Sequence, residues 1–174
     1  MNQPRRKILV VDDEEVIRSV MARTLRKEGY EVRLAANPHE GLAILAHEPI
    51  DLVIADHLMP EMTGLDFLKI VRDRFPNCVR LMLTGHADVD VVVQAINEGE
   101  IYRLVTKPWD DAELKATLFI AFEKLDLERE NRQLLSMVRC QRNLIVALKR
   151  ASPDLRVEPG PGAEAEAALA PEPD

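Results

Sequence analysis

From Lys7 onward, short apolar runs alternate with amphipathic stretches. Ile8-Leu9-Val10-Val11 gives way to a 3.6-residue pattern through Val16, Ile17, Val20, Met21 and Leu25 that stops at Gly29, which predicts a strand followed by a helix. The same alternation predicts a strand over Tyr30–Ala35, a helix over about Pro38–His47, a strand over Leu52–Ala55 and a helix over about Leu65–Phe75 closed by Pro76. A fourth strand is read over Val79–Leu83, a helix over Val89–Asn97 ending at Gly99, a fifth strand over Ile101–Val105 and a final helix from near Asp110. The first and third runs, Ile8–Val11 and Leu52–Ala55, are apolar throughout rather than at every second position. Strands of that kind are buried on both faces, the signature of a parallel sheet between two helical layers, so the fold class is α/β, built from βα units.

The final helical pattern does not stop where one domain needs it to stop; it continues to about Arg150. Leu127, Asn131, Leu134, Val138, Gln141, Ile145 and Leu148 recur at intervals of four and three, a heptad seam with Asn131 and Val138 at a-type positions. Leu135, Met137 and Leu144 widen it, which suits a bundle or a partner groove better than a strict two-stranded coil. The competing reading is a stripe that folds back on its own domain. Beyond Arg150 come Pro153, Pro159, Pro161, Pro171 and Pro173 among Ala and Glu, with no aromatic residue, and disorder is expected. The expected organisation is one domain over 1–125, a helical extension over 126–150 and a disordered tail over 151–174. No aromatic residue follows Phe122, so no second core and no output domain are expected.

A formal charge of -7 makes a nucleic-acid surface over the whole chain implausible, and DNA binding is not expected. Between Asn131 and Arg150 five Lys or Arg occur with no acidic residue, which admits an acidic partner such as RNA but is more often a solvated helix face. Cys78 and Cys140 lie far apart and outside any metal-ligand spacing, so neither zinc nor a disulfide framework is indicated. The apolar stretch after the basic N-terminus is too short for a signal-peptide core or a membrane span, which makes the expected location cytoplasmic.

Candidate chemistry gathers at the strand ends. Asp12 and Asp13 end the first strand, Asp56 the third and Thr84 the fourth, while Lys107 follows the fifth. A parallel sheet brings its carboxyl ends to one crevice, so residues dozens of positions apart become neighbours. Three carboxylates then face one lysine, and a hard divalent cation with oxygen ligands, Mg2+ above all, relieves the crowding. In such a site Asp56 is the nucleophile toward phosphorus, Asp12 and Asp13 hold the metal directly or through water, Lys107 offsets phosphoryl charge and Thr84 donates its hydroxyl. Taken singly, each residue has a plainer reading: Asp12, Asp13 and Thr84 as helix caps, Asp56 as a turn residue before Met59-Pro60, Lys107-Pro108 as an exposed loop. It is their joint placement that favours the chemical one. His57 and His86 are single histidines without a ligand partner and receive no role.

Val10-Val11-Asp12-Asp13-Glu14-Glu15, Asp56 with Met59-Pro60 and Met62-Thr63-Gly64, Leu83-Thr84-Gly85-His86 and Lys107-Pro108-Trp109 together resemble the two-component receiver family over about residues 5–125. The resemblance implies a flavodoxin-like fold with strand order 2-1-3-4-5, Mg2+, phosphoryl transfer from a sensor histidine kinase to Asp56, and the backbone carbonyl of Leu58 as a further metal ligand. Asn97 to Arg103 and Thr106 to Asp111 are similar to receivers of the HD-GYP phosphodiesterase and hydrogenase-regulator type. One position departs: where the family often carries a switch aromatic, three residues before the lysine, this chain has Leu104, with Tyr102 two residues earlier. Output is then expected through the face of the fourth helix, fifth strand and fifth helix and through the long extension, by dimerisation or by binding a downstream protein.

Such a protein is a phosphoacceptor rather than an enzyme. A phosphohydrolase of the haloacid-dehalogenase type fits less well, because that family resembles Asp-x-Asp-x-Thr on its first strand. A dinucleotide enzyme lacks its GxGxxG. The remaining alternative is a scaffold of receiver type that works without phosphorylation.

Overall fold

The computed structural model describes residues 5–85 and 101–151. In chain order these form β1 (Lys7–Val11), α1 (Glu15–Lys27), β2 (Glu31–Ala35), α2 (Pro38–His47), β3 (Leu52–Asp56), α3 (Gly64–Arg74), β4 (Val79–Thr84), β5 (Arg103–Thr106) and α4 (Asp111–Ala151). The helix expected over Val89–Asn97 lies outside the described residues.

All five strands join one parallel sheet, as the pattern implies, in the order β2-β1-β3-β4-β5, as the resemblance implies. Alternation along each strand sends neighbours to opposite faces. Ile8 and Val10 pack with Ile54 and Leu83 against Met21 and Leu25 of α1 and Leu114, Leu118 and Phe122 of α4. Leu9 and Val11 pack with Val53 and Met82 against Phe67, Leu68 and Val71 of α3. Strands so enclosed have no polar face, which is why no polar alternation marks them in the sequence. Each such side chain contributes about 1.5–3 kcal/mol on burial.

Local chemistry sets the helix ends. The Asn37 side chain accepts from Glu40 N–H at 2.9 Å to start α2, and Thr63 Oγ1 accepts from Asp66 N–H at 3.1 Å to start α3. At the end of α1, Gly29 takes a φ of 88° that a β-carbon would oppose, and its N–H returns to Arg26 C=O at 3.0 Å.

The chain divides into two compact units, Met1–Leu127 and Glu128–Asp174. In the first, the buried Leu114, Leu118, Ala121, Phe122 and Leu125 dock α4 on the sheet. In the second, the described residues are all helical, and Leu134, Leu135, Met137, Val138, Leu144 and Leu148 are exposed. No helix among the described residues is long and apolar enough to cross a membrane.

Candidate acidic site at the carboxyl edge of the sheet

β1 and β3 are adjacent, with Val11 beside Ala55, so the next residue of each strand delivers a carboxylate to the same edge. Asp12 is fully buried, and its N–H is held by Ala35 C=O at 3.3 Å. Its carboxylate accepts from Glu14 N–H at 2.8 Å and from Lys107 Nζ at 2.8 Å. Asp56 is also buried, and its carboxylate accepts from Leu58 N–H at 3.1 Å and lies 2.6 Å from Lys107 Nζ. Lys107 reaches across because its own N–H is anchored to Thr84 C=O at 2.7 Å, at the end of the β4–β5 ladder.

One ammonium therefore serves two carboxylates. Burial alone would lower the Lys107 pKa, but hydrogen bonds to Asp12 and Asp56 and their charge outweigh it and leave it raised. Asp12 is raised as well, because burial outweighs its hydrogen bonds from Lys107 and Glu14 N–H. The two shifts look contradictory for an ion pair, since pairing should favour both charged forms. They are consistent once the sharing is counted: the lysine sees two carboxylates, whereas Asp12 sees part of one ammonium and feels Asp56 as well.

The remaining expected residues sit differently. Asp13 is exposed and lines a cavity shared with Glu14, Asp56, His57, Leu58, Gly85 and Lys107. The third carboxylate near the lysine is that of Glu14, at 3.8 Å, a residue that sequence reasoning did not single out. Thr84 is fully buried, and its hydroxyl donates to Gly85 C=O at 3.1 Å. Leu58 stands exposed on the cavity rim. His86 lies outside the described residues.

Two further residues shape the site. Gly64 N–H donates to His57 C=O at 2.9 Å, and a β-carbon on Gly64 would fall 1.9 Å from the Asp56 carbonyl oxygen. Only glycine lets the start of α3 lie this close to the acceptor strand. His57 Nδ1 is buried with no hydrogen-bond partner.

As a cation site, the edge offers carboxylate and carbonyl oxygens and no soft ligand. No group of three or more His, Cys, Asp or Glu among the described residues is arranged to enclose a metal. The hard oxygen donors themselves are of the kind that fit a hard cation such as Mg2+, which keeps several waters and takes one or two carboxylates.

The pattern described as "Response regulator receiver domain" matches residues 8–119. The chain belongs to the response regulator receiver family. Receivers of this family act in two-component phosphorelay signalling, and the sheet order seen here is the one that the resemblance implied. The hydrogenase transcriptional regulatory protein HoxA of Cupriavidus necator is 34% identical over 134 residues, 77% of this chain and 28% of its own length. A putative NtrX-like response regulator of Rickettsia bellii is 38% identical over 133 residues, 75% of this chain and 28% of its own. This chain thus spans little more than a quarter of those relatives. Among solved structures, the receiver domain of an HD domain-containing protein from Pseudomonas fluorescens Pf-5 aligns with a TM-score of 0.70 at 38% identity, covering 75% of this chain and 96% of that one. The hydrogenase-regulator and HD-domain relatives match the narrower resemblance read from the stretches around Tyr102 and Lys107.

Proposed function

We propose that this receiver accepts a phosphoryl group on Asp56 from a sensor histidine kinase, with Mg2+ bound by Asp12, Asp13, Asp56 and the Leu58 carbonyl. The observation that carries this reading is the Lys107 ammonium held 2.6 Å from Asp56 and 2.8 Å from Asp12 at the sheet edge. In the proposed reaction an Asp56 carboxylate oxygen bonds to phosphorus, the bond from phosphorus to the donor breaks, and the leaving group carries away the bonding pair. Lys107 faces the charge that gathers on the phosphoryl oxygens, and Thr84 turns its hydroxyl from Gly85 C=O to one of them. Mg2+, when bound, supplies the extra positive charge that three carboxylates and a phosphoryl group demand. Self-dephosphorylation belongs to the same site; no other catalysis is proposed.

Output is proposed to leave by conformational change, by dimerisation through the α4 extension and the face that includes β5 and α4, or by binding a downstream protein in the cytoplasm. A relative from Proteus hauseri is named a DNA-binding transcriptional regulator and is spanned by this chain over 26% of its length. The expectation against DNA contact is therefore kept to this segment, where acidic charge prevails. The domain assignment of 1–125, 126–150 and 151–174 is part of the same proposal.

The test is incubation with Mg2+ and acetyl phosphate, read by intact mass beside Asp56→Asn. One added phosphoryl group, Mg2+-dependent and lost in the variant, supports the proposal. No adduct favours the second reading, a phosphorylation-independent scaffold. Leu104 is what speaks for that reading: it packs, partly buried, against the core in place of a switch aromatic.

A further inference from the structure

Past Leu127 the described helix keeps its apolar residues exposed, Leu134 at 56%, Val138 at 60% and Leu144 at 59% among them. A surface of this kind on a single helix requires a cover. We infer that this stretch of α4 pairs antiparallel with the same stretch of a second copy, in the register that sets Leu134 opposite Val138. The inference rests on the extension half of the proposed homodimer and adds its direction and register; in this register the two β5–α4 faces lie at opposite ends of the helix pair and do not meet.

The seam by itself admits both directions. In a parallel, in-register pair Asn131 meets Asn131 and Gln141 meets Gln141, so each amide finds an amide. In the antiparallel register Asn131 meets Gln141 of the second copy, and the apolar layers are Leu127 with Ile145 and Leu134 with Val138. The polar seam positions are satisfied either way, and the flanking rows decide.

In the parallel pair the flanking rows are mismatched along their length. Glu123 falls beside Glu128, Glu130 beside Leu135, and Met137 beside Arg142. Like charges meet, and two large apolar side chains stay against charged ones. In the antiparallel register Glu128 falls beside Arg142, Leu135 beside Leu135 and Met137 beside Met137; Glu130 beside Leu144 stays mismatched, as does the terminal seam residue Leu148 opposite Lys124. The charge distribution points the same way. From Asn131 to Arg150 the helix carries five basic residues and no acidic one, so parallel copies align like charge over the whole stretch. Reversal brings the Glu128 and Glu130 end of each copy to the basic end of the other. Position by position, the outward row of Arg129, Ser136, Asn143 and Arg150 stays polar.

The experiment uses the full chain with Cys140→Ser and a spin label on Arg150→Cys, with light scattering on the same samples, in the presence and absence of Mg2+ and acetyl phosphate. The antiparallel register centres near Ser136, so the two labels stand about 40 Å apart at 1.5 Å per residue. Parallel helices would hold them near the interhelical spacing of about 10 Å plus the label arms. A second variant gives opposite signs. Glu128→Arg weakens antiparallel pairing, about tenfold in dissociation constant, and adding Arg142→Glu restores it; in a parallel pair Glu128→Arg tightens association by relieving Glu123. A dimer with close labels, or one tightened by Glu128→Arg, overturns the direction and leaves the homodimer standing. A monomer under every condition overturns both.

Discussion

At the scale of single residues, the acidic edge is organised around too little positive charge. Asp12 is buried with a raised pKa, so the folded state binds its proton more tightly than the unfolded chain does. The contribution of this group to stability is therefore complete below the carboxyl's ordinary pKa and is lost as pH rises through the raised folded one, so at neutral pH it is a cost in the metal-free protein. Asp12→Asn is expected to raise the urea midpoint at pH 7 without Mg2+ and to abolish the gain that Mg2+ gives the unaltered protein; paired titrations with and without Mg2+ test both halves. Gly64 is constrained in a different way. A β-carbon there meets the Asp56 carbonyl oxygen at 1.9 Å, backbone against backbone, and neither side has a rotamer to give. Gly64→Ala is expected to cost about 1–3 kcal/mol in urea denaturation, and to slow phosphoryl uptake at Asp56 even where the variant is fully folded. An uptake rate unchanged in the folded variant would remove Gly64 from the site.

At the scale of elements, Glu48 at the end of α2 ties α2 to β1 and β2. Its carboxylate accepts from Arg33 Nη2 at 3.1 Å and from Lys7 Nζ at 2.9 Å. These partners, Arg33 first, hold its pKa down to about 2 from the ordinary 4.5. A depressed carboxylate contributes stability that is complete above 4.5 and disappears as pH falls from there to about 2. The groups are partly exposed and screened, so Glu48→Gln is expected to cost under about 1 kcal/mol at pH 7, less in high salt, and almost nothing near pH 2. Denaturation at several pH values reads that convergence. Along α4 two leucines separate two roles. Leu118 is fully buried against the sheet, and Leu118→Ala is expected to destabilise the first unit by about 2–5 kcal/mol. Leu134 is exposed, and Leu134→Ala is expected to leave the unfolding midpoint of that unit in place while weakening self-association, which light scattering measures.

At the scale of the whole molecule, the sequence made the sheet legible because its central strands β1 and β3 are buried on both faces; Ile8 to Val11 have no polar position to hide them. It made Asp12, Asp56 and Lys107 legible because a parallel sheet gathers strand ends whatever the loops do. What depends on a loop's path was not legible. Glu14 supplies the third carboxylate near Lys107 because Asp12 accepts its N–H and turns the chain back, and no pattern of residue types marks that turn. Gly64 was visible within Met62-Thr63-Gly64, yet only coordinates disclose the carbonyl beside it. The orphaned Nδ1 of His57 gave no signal at all, since buried and exposed histidines read alike in a sequence.

The central claim is that Asp56 carries the phosphoryl group. Its most direct test is to phosphorylate the protein with acetyl phosphate and Mg2+, trap the acyl phosphate by borohydride reduction, and map the modified residue by peptide mass. The account predicts that the aspartate at position 56 alone is reduced to homoserine, and only when Mg2+ is present. Modification at Asp12 or Asp13, or none at any aspartate under conditions that phosphorylate another receiver, would contradict it.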